Sequence, residues 1–310
     1  MTSPPEAPAA LPPGGAEARG SKPTCVGLDG PRDGCVSQPC GLQGSLADRQ
    51  SRIRGGRLDA AAVVEVDDIV TRFGAQTVHD GVSFAVGRGN LVAMIGGSGT
   101  GKSVLLREII GLQRPTAGRV RLFGTDMWSA APSEIDAVRR RFGMMFQDGA
   151  LFSSLTVAQN VAVPLREHTK LSDATVNALV ALRLQQAGLP ADTGAKMPAE
   201  LSGGMRKRAA IARAIALEPE VLFLDEPTSG LDPITARGFD RLVRSLVDDL
   251  GLTVFLITHD LDTLLGVVDR LIVLARGHVL ADGTVEEVMA VDDEWIRDYF
   301  SVRRMAGDGS

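Results

Sequence analysis

Apolar and polar residues alternate in blocks along most of this chain. From "AAVVEVDDIVTRFG" (residues 61–74) onward, short β-branched segments predict strands. Three runs, "NLVAMI" (90–95), "EVLFLDE" (220–226) and "LTVFLITHD" (252–260), are apolar almost throughout and predict strands that are buried on both faces. Such strands indicate an α/β protein with a mostly parallel sheet covered by helices, in which ligands bind at the carboxyl ends of the strands.

Helical periodicity appears in two places. In "SVLLREIIGL" (103–112), Leu105, Ile109 and Leu112 recur at helical spacing, which predicts a helix directly after a glycine-rich loop. Residues 148–215, which include "DATVNALVALRLQQAGL", predict a helical lobe inserted between the halves of the sheet.

Residues 1–60 are rich in Pro, Gly, Ala, Ser and Arg, with few large apolar side chains. Such a segment buries too little surface to offset its ordering entropy, so we expect a disordered extension whose three cysteines are unpaired. The predicted folded domain covers residues 61–300, and residues 301–310 are expected to form a flexible tail.

Charge and composition exclude several classes of function. The 310-residue chain carries a formal net charge of -5 and only 4% aromatic residues, which argues against nucleic acid as a partner. It contains no run of about 18 apolar residues, and no basic segment followed by an apolar one near its start. We therefore expect no membrane span and no secretory signal, and a cytoplasmic location.

The loop between the apolar run 90–95 and the helix predicted at 103–112 matches the pattern G-x-x-x-x-G-K-[ST] at every fixed position. It consists of Gly96, Gly97, Ser98, Gly99, Thr100, Gly101, Lys102 and Ser103. Because it follows a predicted strand and opens a predicted helix, its backbone N–H groups can cradle phosphates. Lys102 would reach the β- and γ-phosphate oxygens and Ser103 would bind Mg²⁺. Val104 completes the predicted nucleotide-binding segment.

Acidic and histidine side chains end the other two apolar runs. Asp225 is the predicted Mg²⁺ ligand, and Glu226 is placed to polarise an attacking water molecule. Adjacent acids at a strand end are often only solvated, but the phosphate loop favours the functional interpretation. His259 is either structural or, on the same sheet edge, a contact for the γ-phosphate. Lys102, Glu226 and His259 are therefore the predicted catalytic set.

A second glycine-rich helix start lies at "LSGGMRKRAAIARAIA" (201–216). Ser202, Gly203 and Gly204 precede the basic run 206–208, which predicts a second anion site at a helix N-terminus. A single ATP does not need two such sites in one protomer.

These residues, in this order, resemble the motifs of ATP-binding cassette (ABC) proteins over roughly residues 62–290. The resemblance implies a P-loop NTPase fold with a RecA-like core, a small antiparallel β subdomain and a helical subdomain. It implies that Phe73, where tyrosine is commoner, stacks on adenine, although core packing is an alternative. It further implies that Gln147 joins Mg²⁺ to the transport interface and that the segment 229–232 meets the opposite subunit. Two copies would sandwich each ATP between Lys102 of one and Ser202 and Gly204 of the other.

The resemblance leaves open what ATP hydrolysis drives. One hypothesis is the motor subunit of a membrane transporter with separate permease chains; the other is a soluble cassette acting in DNA repair or on the ribosome. The chain has neither long coiled coils nor two cassettes, which favours the transporter. The apolar segment "DGALFSSLTVAQNVAVPL" (148–165) is either ordinary core or a groove for a short helix of a membrane subunit.

The phrases "GGSGTGKSVLL", "PLREHT" and "LDPIT" look like those of the ATPase in Mla-type, Mce-associated phospholipid transporters. That resemblance implies a peripheral protein at the cytoplasmic face of the inner membrane, with a permease and an Mce-domain substrate-binding protein as partners. An ATPase of an amino-acid or ion importer is the alternative. The aromatic segment "DDEWIRDYFSVRRM" (292–305) predicts core packing, a docking helix or a dimer-stabilising tail.

Overall fold

The computed structural model describes residues 62–307. The predicted N-terminal extension and its cysteines lie outside this range. The strands are β1 (Ala62–Phe73), β2 (Gln76–Gly87), β3 (Leu91–Ile95), β4 (Ala117–Leu122), β5 (Thr125–Asp126), β6 (Phe142–Met145), β7 (Val221–Asp225), β8 (Thr253–Ile257), β9 (Arg270–Ala275) and β10 (His278–Gly283). The helices are α1 (Lys102–Ile109), α2 (Pro132–Arg139), α3 (Val157–His168), α4 (Asp173–Gln186), α5 (Gly203–Ala214), α6 (Pro233–Leu250), α7 (Leu261–Val267), α8 (Val285–Met289) and α9 (Glu294–Gly307).

The larger sheet has six strands in the order β10-β9-β3-β8-β7-β6. All its pairings are parallel except β10 with β9. Every residue of β3 and β8 is buried, as expected for strands that are covered on both faces. The prediction of a mostly parallel sheet is confirmed, and the carboxyl ends of β3, β7 and β8 lie side by side at one edge.

The smaller sheet is antiparallel, in the order β2-β1-β4-β5, and confirms the predicted β subdomain. Its inner face packs on the large sheet, where the ring of Phe84 stacks on Phe255 with centroids 5.9 Å apart. Apolar residues of α1 complete the same core, which fixes this helix and the loop before it between the two sheets.

Helix α1 is shorter than the sequence predicts. It ends at Ile109, because Gly111 adopts a positive φ of 75° that turns the chain out of the helix. Leu112 consequently does not continue the buried stripe and is 60% exposed. The expectation that Leu112 belongs to the helical apolar face was wrong.

Helices α3, α4 and α5 and two short 3₁₀ helices occupy most of the region where the helical lobe is predicted. Thr156 and Ser172 cap α3 and α4, each accepting a hydrogen bond from a backbone N–H in the first turn. Val157 and Val161 are fully buried, whereas Phe152 is 51% exposed. The apolar segment therefore divides between core and surface.

The C-terminal helix α9 continues to Gly307, beyond residue 300, where we expected a tail to begin. Ile296 is buried, and it packs with Phe300 in a core shared with β3, β9 and β10. Within residues 62–307, no helix is long and apolar enough to cross a membrane.

Candidate nucleotide site

The glycine-rich loop connects β3 to α1, as predicted, and close packing explains two of its glycines. A Cβ on Gly96 would clash with the carbonyl oxygen of Leu274 in β9. Gly101 has a φ of 90°, and a Cβ there would lie 2.5 Å from Nε2 of His79. A residue with a side chain fits neither position, so the backbone follows one path into the helix N-terminus.

Lys102 is the first residue of α1. Its ammonium group donates hydrogen bonds to the carbonyls of Gly96 and Gly97, at 2.8 and 2.9 Å. Burial lowers the pKa of Lys102, and the carboxylates of Glu226 and Asp225 oppose that shift. The ammonium thus lies over the loop and within electrostatic reach of both predicted acids.

Ser103 and Asp225 lie together, as predicted. The Ser103 hydroxyl donates to Oδ1 of Asp225 at 3.3 Å, which joins the phosphate loop to the end of β7. Burial raises the pKa of Asp225; the hydrogen bond from Ser103 opposes the increase and the charge of Glu226 adds to it. A desolvated carboxylate beside another acid is poised to receive a cation.

Glu226 and His259 also meet, with Oε2 of Glu226 3.5 Å from Nδ1 of His259. Glu226 has a φ of 45°, unusual for a residue with a side chain, and its N–H donates to the carbonyl of Ile257 at 2.9 Å. Such backbone strain costs on the order of 1–3 kcal/mol and is concentrated at functional sites. The His259 side chain is 66% exposed and can contact a ligand.

A cavity of about 230 Å³ opens beside this pair. Its lining consists of Glu226, Thr228, Ser229, Gly230, Leu231, Thr258, His259 and Asp260. The cavity joins the end of β7, the segment 229–232 and the end of β8, so the sequence-predicted residues of these strands share one surface.

Gln147 follows β6 and bonds to the predicted subunit-contact segment, its amide donating to the Ser229 hydroxyl at 3.4 Å. The Lys207 ammonium in α5 donates to the backbone carbonyl of Gln147. The helical lobe is therefore connected directly to the residue predicted to lie between ATP and the transport interface.

Ser202 caps α5 and accepts a hydrogen bond from the N–H of Met205 at 3.3 Å. The three basic side chains that follow donate hydrogen bonds to backbone carbonyls. Arg206 donates to carbonyls of residues 198 and 201, and Arg208 to those of Ala187 and Gly238. With Lys207 bonded to Gln147, all three side chains bond backbone carbonyls of their own chain. The anion site at this helix start stays a prediction.

Phe73 ends β1 with half of its surface exposed, at the tip of the antiparallel sheet. The core interpretation of this residue does not fit such exposure, and its ring is accessible to a planar ligand.

Four supporting residues had not been inferred from sequence. Thr71, His79 and Glu108 are buried behind the phosphate loop, and Tyr299 of α9 donates to the carbonyl of His259 at 3.0 Å. Glu108 stands three residues after Leu105, on the buried stripe of α1, and that position was a usable signal. The strand irregularities between β1 and β2 hide the equivalent signal for His79.

The donor set fits a hard divalent cation. Ser103 and Asp225 offer oxygen atoms to the same space, and Gln147 carries a further amide oxygen. Mg²⁺ prefers such ligands, with one or two protein oxygens supplemented by phosphate and water. Among the described residues, no group of three or more His, Cys, Asp or Glu side chains could hold a metal ion.

The fold and this site define a P-loop nucleotide-binding protein. Residues 79–229 match the family described as "ABC transporter". The chain is 38% identical over 239 residues to the "Intermembrane phospholipid transport system ATP-binding protein MlaF" of Escherichia coli (strain K12), covering 77% of this chain and 88% of that protein. It is 37% identical over 254 residues to the "Probable ribonucleotide transport ATP-binding protein mkl" of Mycobacterium leprae, covering 82% and 73%.

Two solved structures of ABC proteins are also similar to this chain. The dimeric cassette MJ0796 bound to ADP and Pi matches with a TM-score of 0.66 and 29% identity, covering 72% of this chain and 98% of that one. The cbiO1 protein of Clostridium perfringens, part of the ABC transporter complex cbiONQ, matches with a TM-score of 0.68 and 30% identity, covering 79% and 97%. The chain therefore belongs to the ABC transporter family, as an ATP-binding subunit that hydrolyses ATP.

Proposed function

We propose that two copies of this chain bind ATP head to tail and use its hydrolysis to drive a Mla-type phospholipid transporter. In each site the phosphate loop of one copy faces the start of α5 in the other. One observation is the main support for this proposal. The acids, the lysine and the phosphate loop meet at one edge of the sheet, whereas Ser202 and Gly203 are exposed. The dimer of MJ0796, described as a post-hydrolysis state, supports this arrangement.

The loop 96–103 binds the phosphates through its N–H groups, and the Lys102 ammonium, now over Gly96 and Gly97, neutralises their charge. Val104 belongs to the same nucleotide-binding segment, and Phe73 stacks on the adenine. Ser103, Asp225 and Gln147 would hold Mg²⁺, which supplies charge neutralisation on the phosphate oxygens. Ser202, Gly203 and Gly204 of the second copy donate to the γ-phosphate from the opposite side.

Glu226 orients the attacking water and accepts its proton, because its carboxylate lies at the cavity and its backbone is held by Ile257. His259 contacts the γ-phosphate and lies close enough to Glu226 to bond its carboxylate. Loss of the γ-phosphate removes the anion shared by the two copies, so the pair opens. Binding and hydrolysis thus alternate two states of the dimer.

A complementation experiment tests the composite site. Lys102→Ala damages the phosphate loop of a chain but leaves its α5 intact, and Gly203→Asp places a charge that repels phosphate at the start of α5. Gly203 is exposed and a carboxylate there favours the helix N-terminus, so this variant is expected to fold.

Each variant alone has two damaged sites, whereas a mixed dimer has one intact site. We expect ATPase activity to reappear on mixing separately inactive variants. If the mixture stays as inactive as its parts although the two chains associate, the head-to-tail site is wrong.

The transported substrate is proposed from the similarity to MlaF, which covers 88% of that protein. The exposed Phe152, with the guanidinium of Arg213 5.9 Å from its ring centroid, gives the helical lobe an apolar surface for a permease helix. We place the dimer at the cytoplasmic face of the inner membrane, bound to a separate permease and working with an Mce-domain protein.

The similarity to mkl supports ribonucleotides as a second candidate substrate. Purification of the chain with its permease from native membranes, followed by mass spectrometry of bound small molecules, separates the two. Phospholipid enriched over the same membranes carrying the ATPase alone supports the Mla-type proposal. Recovery of nucleotide on the permease without phospholipid enrichment would contradict it.

A further inference from the structure

Three polar residues are buried directly behind the phosphate loop. Thr71 in β1, His79 in β2 and Glu108 in α1 have at most 2% of their surface exposed. Burying an imidazole and a carboxylate is costly unless their polar atoms are paired. The proposed hydrolysis mechanism uses none of the three, so their presence in this core needs a reason.

The three side chains and the loop form one connected network. The Thr71 hydroxyl donates to Oε1 of Glu108 at 2.7 Å. Nδ1 of His79 lies 3.0 Å from Oγ1 of Thr71 and 3.3 Å from Oε2 of Glu108. On the other side of the ring, Nε2 lies 3.2 Å from the carbonyl oxygen of Gly101. His79 therefore bridges the α1 carboxylate and the phosphate loop.

The known donor and acceptor atoms show where two of the hydrogens in this network lie. A carbonyl only accepts, so Nε2 of His79 carries a hydrogen and donates it to Gly101. The Thr71 hydrogen already points to Glu108, so Nδ1 faces oxygen lone pairs. Nδ1 bonds Oγ1 of Thr71, and Oε2 of Glu108, 3.3 Å from Nδ1, has no hydrogen-bond partner of its own. The bonds of Nδ1 to Thr71 and of Nε2 to Gly101 fix the orientation of the ring.

That orientation has a consequence for nucleotide binding. The Gly101 carbonyl also accepts the N–H of Leu105 at 2.8 Å, so two donors hold it toward the protein interior. In a planar trans peptide the C=O and the following N–H point in opposite directions. Holding the Gly101 carbonyl inward therefore directs the N–H of Lys102 outward, toward the phosphates.

We propose that Thr71, His79 and Glu108 are positioning residues that fix the Gly101–Lys102 peptide for phosphate binding. Thr71 lies two residues before Phe73 on β1, so the network also connects the strand beneath the adenine to the loop beneath the phosphates. The proposal rests on the assignment of residues 96–103 as the phosphate site.

The test separates positioning from packing. In the variant His79→Leu/Glu108→Leu both buried partners become apolar, which avoids an unpaired charge but removes the bond to Gly101. In Glu108→Gln the amide still bonds Thr71 and His79, and the ring still reaches Gly101. We expect the double variant to raise the KM for ATP and its Kd about tenfold with kcat within about twofold, and Glu108→Gln to stay near the parent chain.

A purely structural role would reduce kcat through loss of folded protein and leave the KM unchanged, and that result would overturn the proposal. If the double leucine variant is not recovered, His79→Leu/Glu108→Gln carries the same comparison, since residue 108 keeps its bond to Thr71. Lys102→Ala is measured in parallel. If Lys102→Ala binds ATP normally, the phosphate site itself is wrong; if only the network variants bind normally, the network alone is wrong.

Discussion

Two helices in this protein begin at glycine-rich segments, and their surroundings differ. The start of α1 carries an ammonium, a hydroxyl and two nearby carboxylates, and buried side chains hold its loop from behind. The start of α5 exposes Ser202 and Gly203, and the basic side chains that follow are bonded to backbone carbonyls.

In the proposed composite site, the two helix starts therefore have different roles in binding ATP. In that site the phosphate loop would supply charge and chemistry, whereas the start of α5 would supply mainly neutral N–H and hydroxyl donors. Neutral donors alone hold a free anion weakly in water, so we expect the α5 start to contribute when ATP is already bound by another copy. Three predictions test this comparison, and a fourth concerns a buried carboxyl group outside both helix starts.

The largest effect is expected at the acid beside the phosphate loop. Glu226→Gln removes the proton acceptor but keeps the shape of the side chain, so ATP hydrolysis should slow about 10²- to 10³-fold, or about 3–4 kcal/mol of barrier. ATP affinity should be unchanged. Phosphate release and equilibrium nucleotide binding measure the two, with the exposed Glu286→Gln as control. Normal turnover of Glu226→Gln would remove Glu226 from the water-orienting role.

Removal of the loop lysine should act on binding. Lys102→Ala loses charge-assisted hydrogen bonds to the phosphates, so we expect ATP affinity to fall about 10- to 100-fold. Titration with a fluorescent ATP analogue measures this, and Lys170→Ala, at an exposed position, is the matched control. Equal affinities for the two variants would contradict the cradle.

Substitution of the lysine of α5, Lys207, should lower stability and leave ATP binding unchanged. Lys207 is 8% exposed and donates to the Gln147 carbonyl; burial lowers its pKa, with Asp148 and Glu226 opposing the shift. Lys207→Met leaves that carbonyl without its donor, so stability should fall by about 1–2 kcal/mol. Chemical denaturation measures the loss. Weaker ATP binding by the separated chain at unchanged stability would mean that the two lysines share one role.

The smallest effect is expected at Asp240, which lies outside both helix starts. Burial raises the pKa of Asp240 to about 6 from an ordinary 3.8, and the hydrogen bond from Thr263 opposes the shift. The folded state therefore binds the proton more tightly than the unfolded state, and stability falls as the pH rises from about 4 through about 6.

Asp240→Asn removes this dependence. The full shift corresponds to at most about 3 kcal/mol, and the buried amide hydrogens of Asn offset part of it, so we expect a net gain of about 1 kcal/mol at pH 8. Thermal unfolding at pH 5 and pH 8 measures the difference between variant and parent. An identical pH dependence in both chains would show that Asp240 ionises without cost.

The parts of this site that consist of short sequence motifs could be predicted from the sequence. The loop 96–103 and the strand-end acids could be placed because each is a short motif bounded by a clear apolar run. The end of α1 could not, since it depends on the positive φ of Gly111. The hydrogen-bond partners of the basic residues of α5 could not be predicted, because acceptors such as Gln147 and Gly238 are distant in sequence.

The network behind the loop was missed for a related reason. Thr71 and Glu108 are 37 residues apart and meet only through the packing of β1 on α1. Irregular pairing between β1 and β2 shifts which side chains face inward, so alternation did not mark His79 as buried. Tertiary register, which no local pattern encodes, decided these contacts.

Helix α9 has a practical consequence for anyone handling this protein. The Tyr299 hydroxyl bonds the His259 carbonyl, and the indole nitrogen of Trp295 lies 3.7 Å from where a Cβ of Gly97 would sit. A purification tag or fluorescent reporter fused to the carboxyl terminus would be attached close to the helix that contacts the segments following β3 and β8. Labels are better attached at the amino terminus, and turnover measured on carboxyl-tagged protein should be compared with that of the untagged chain.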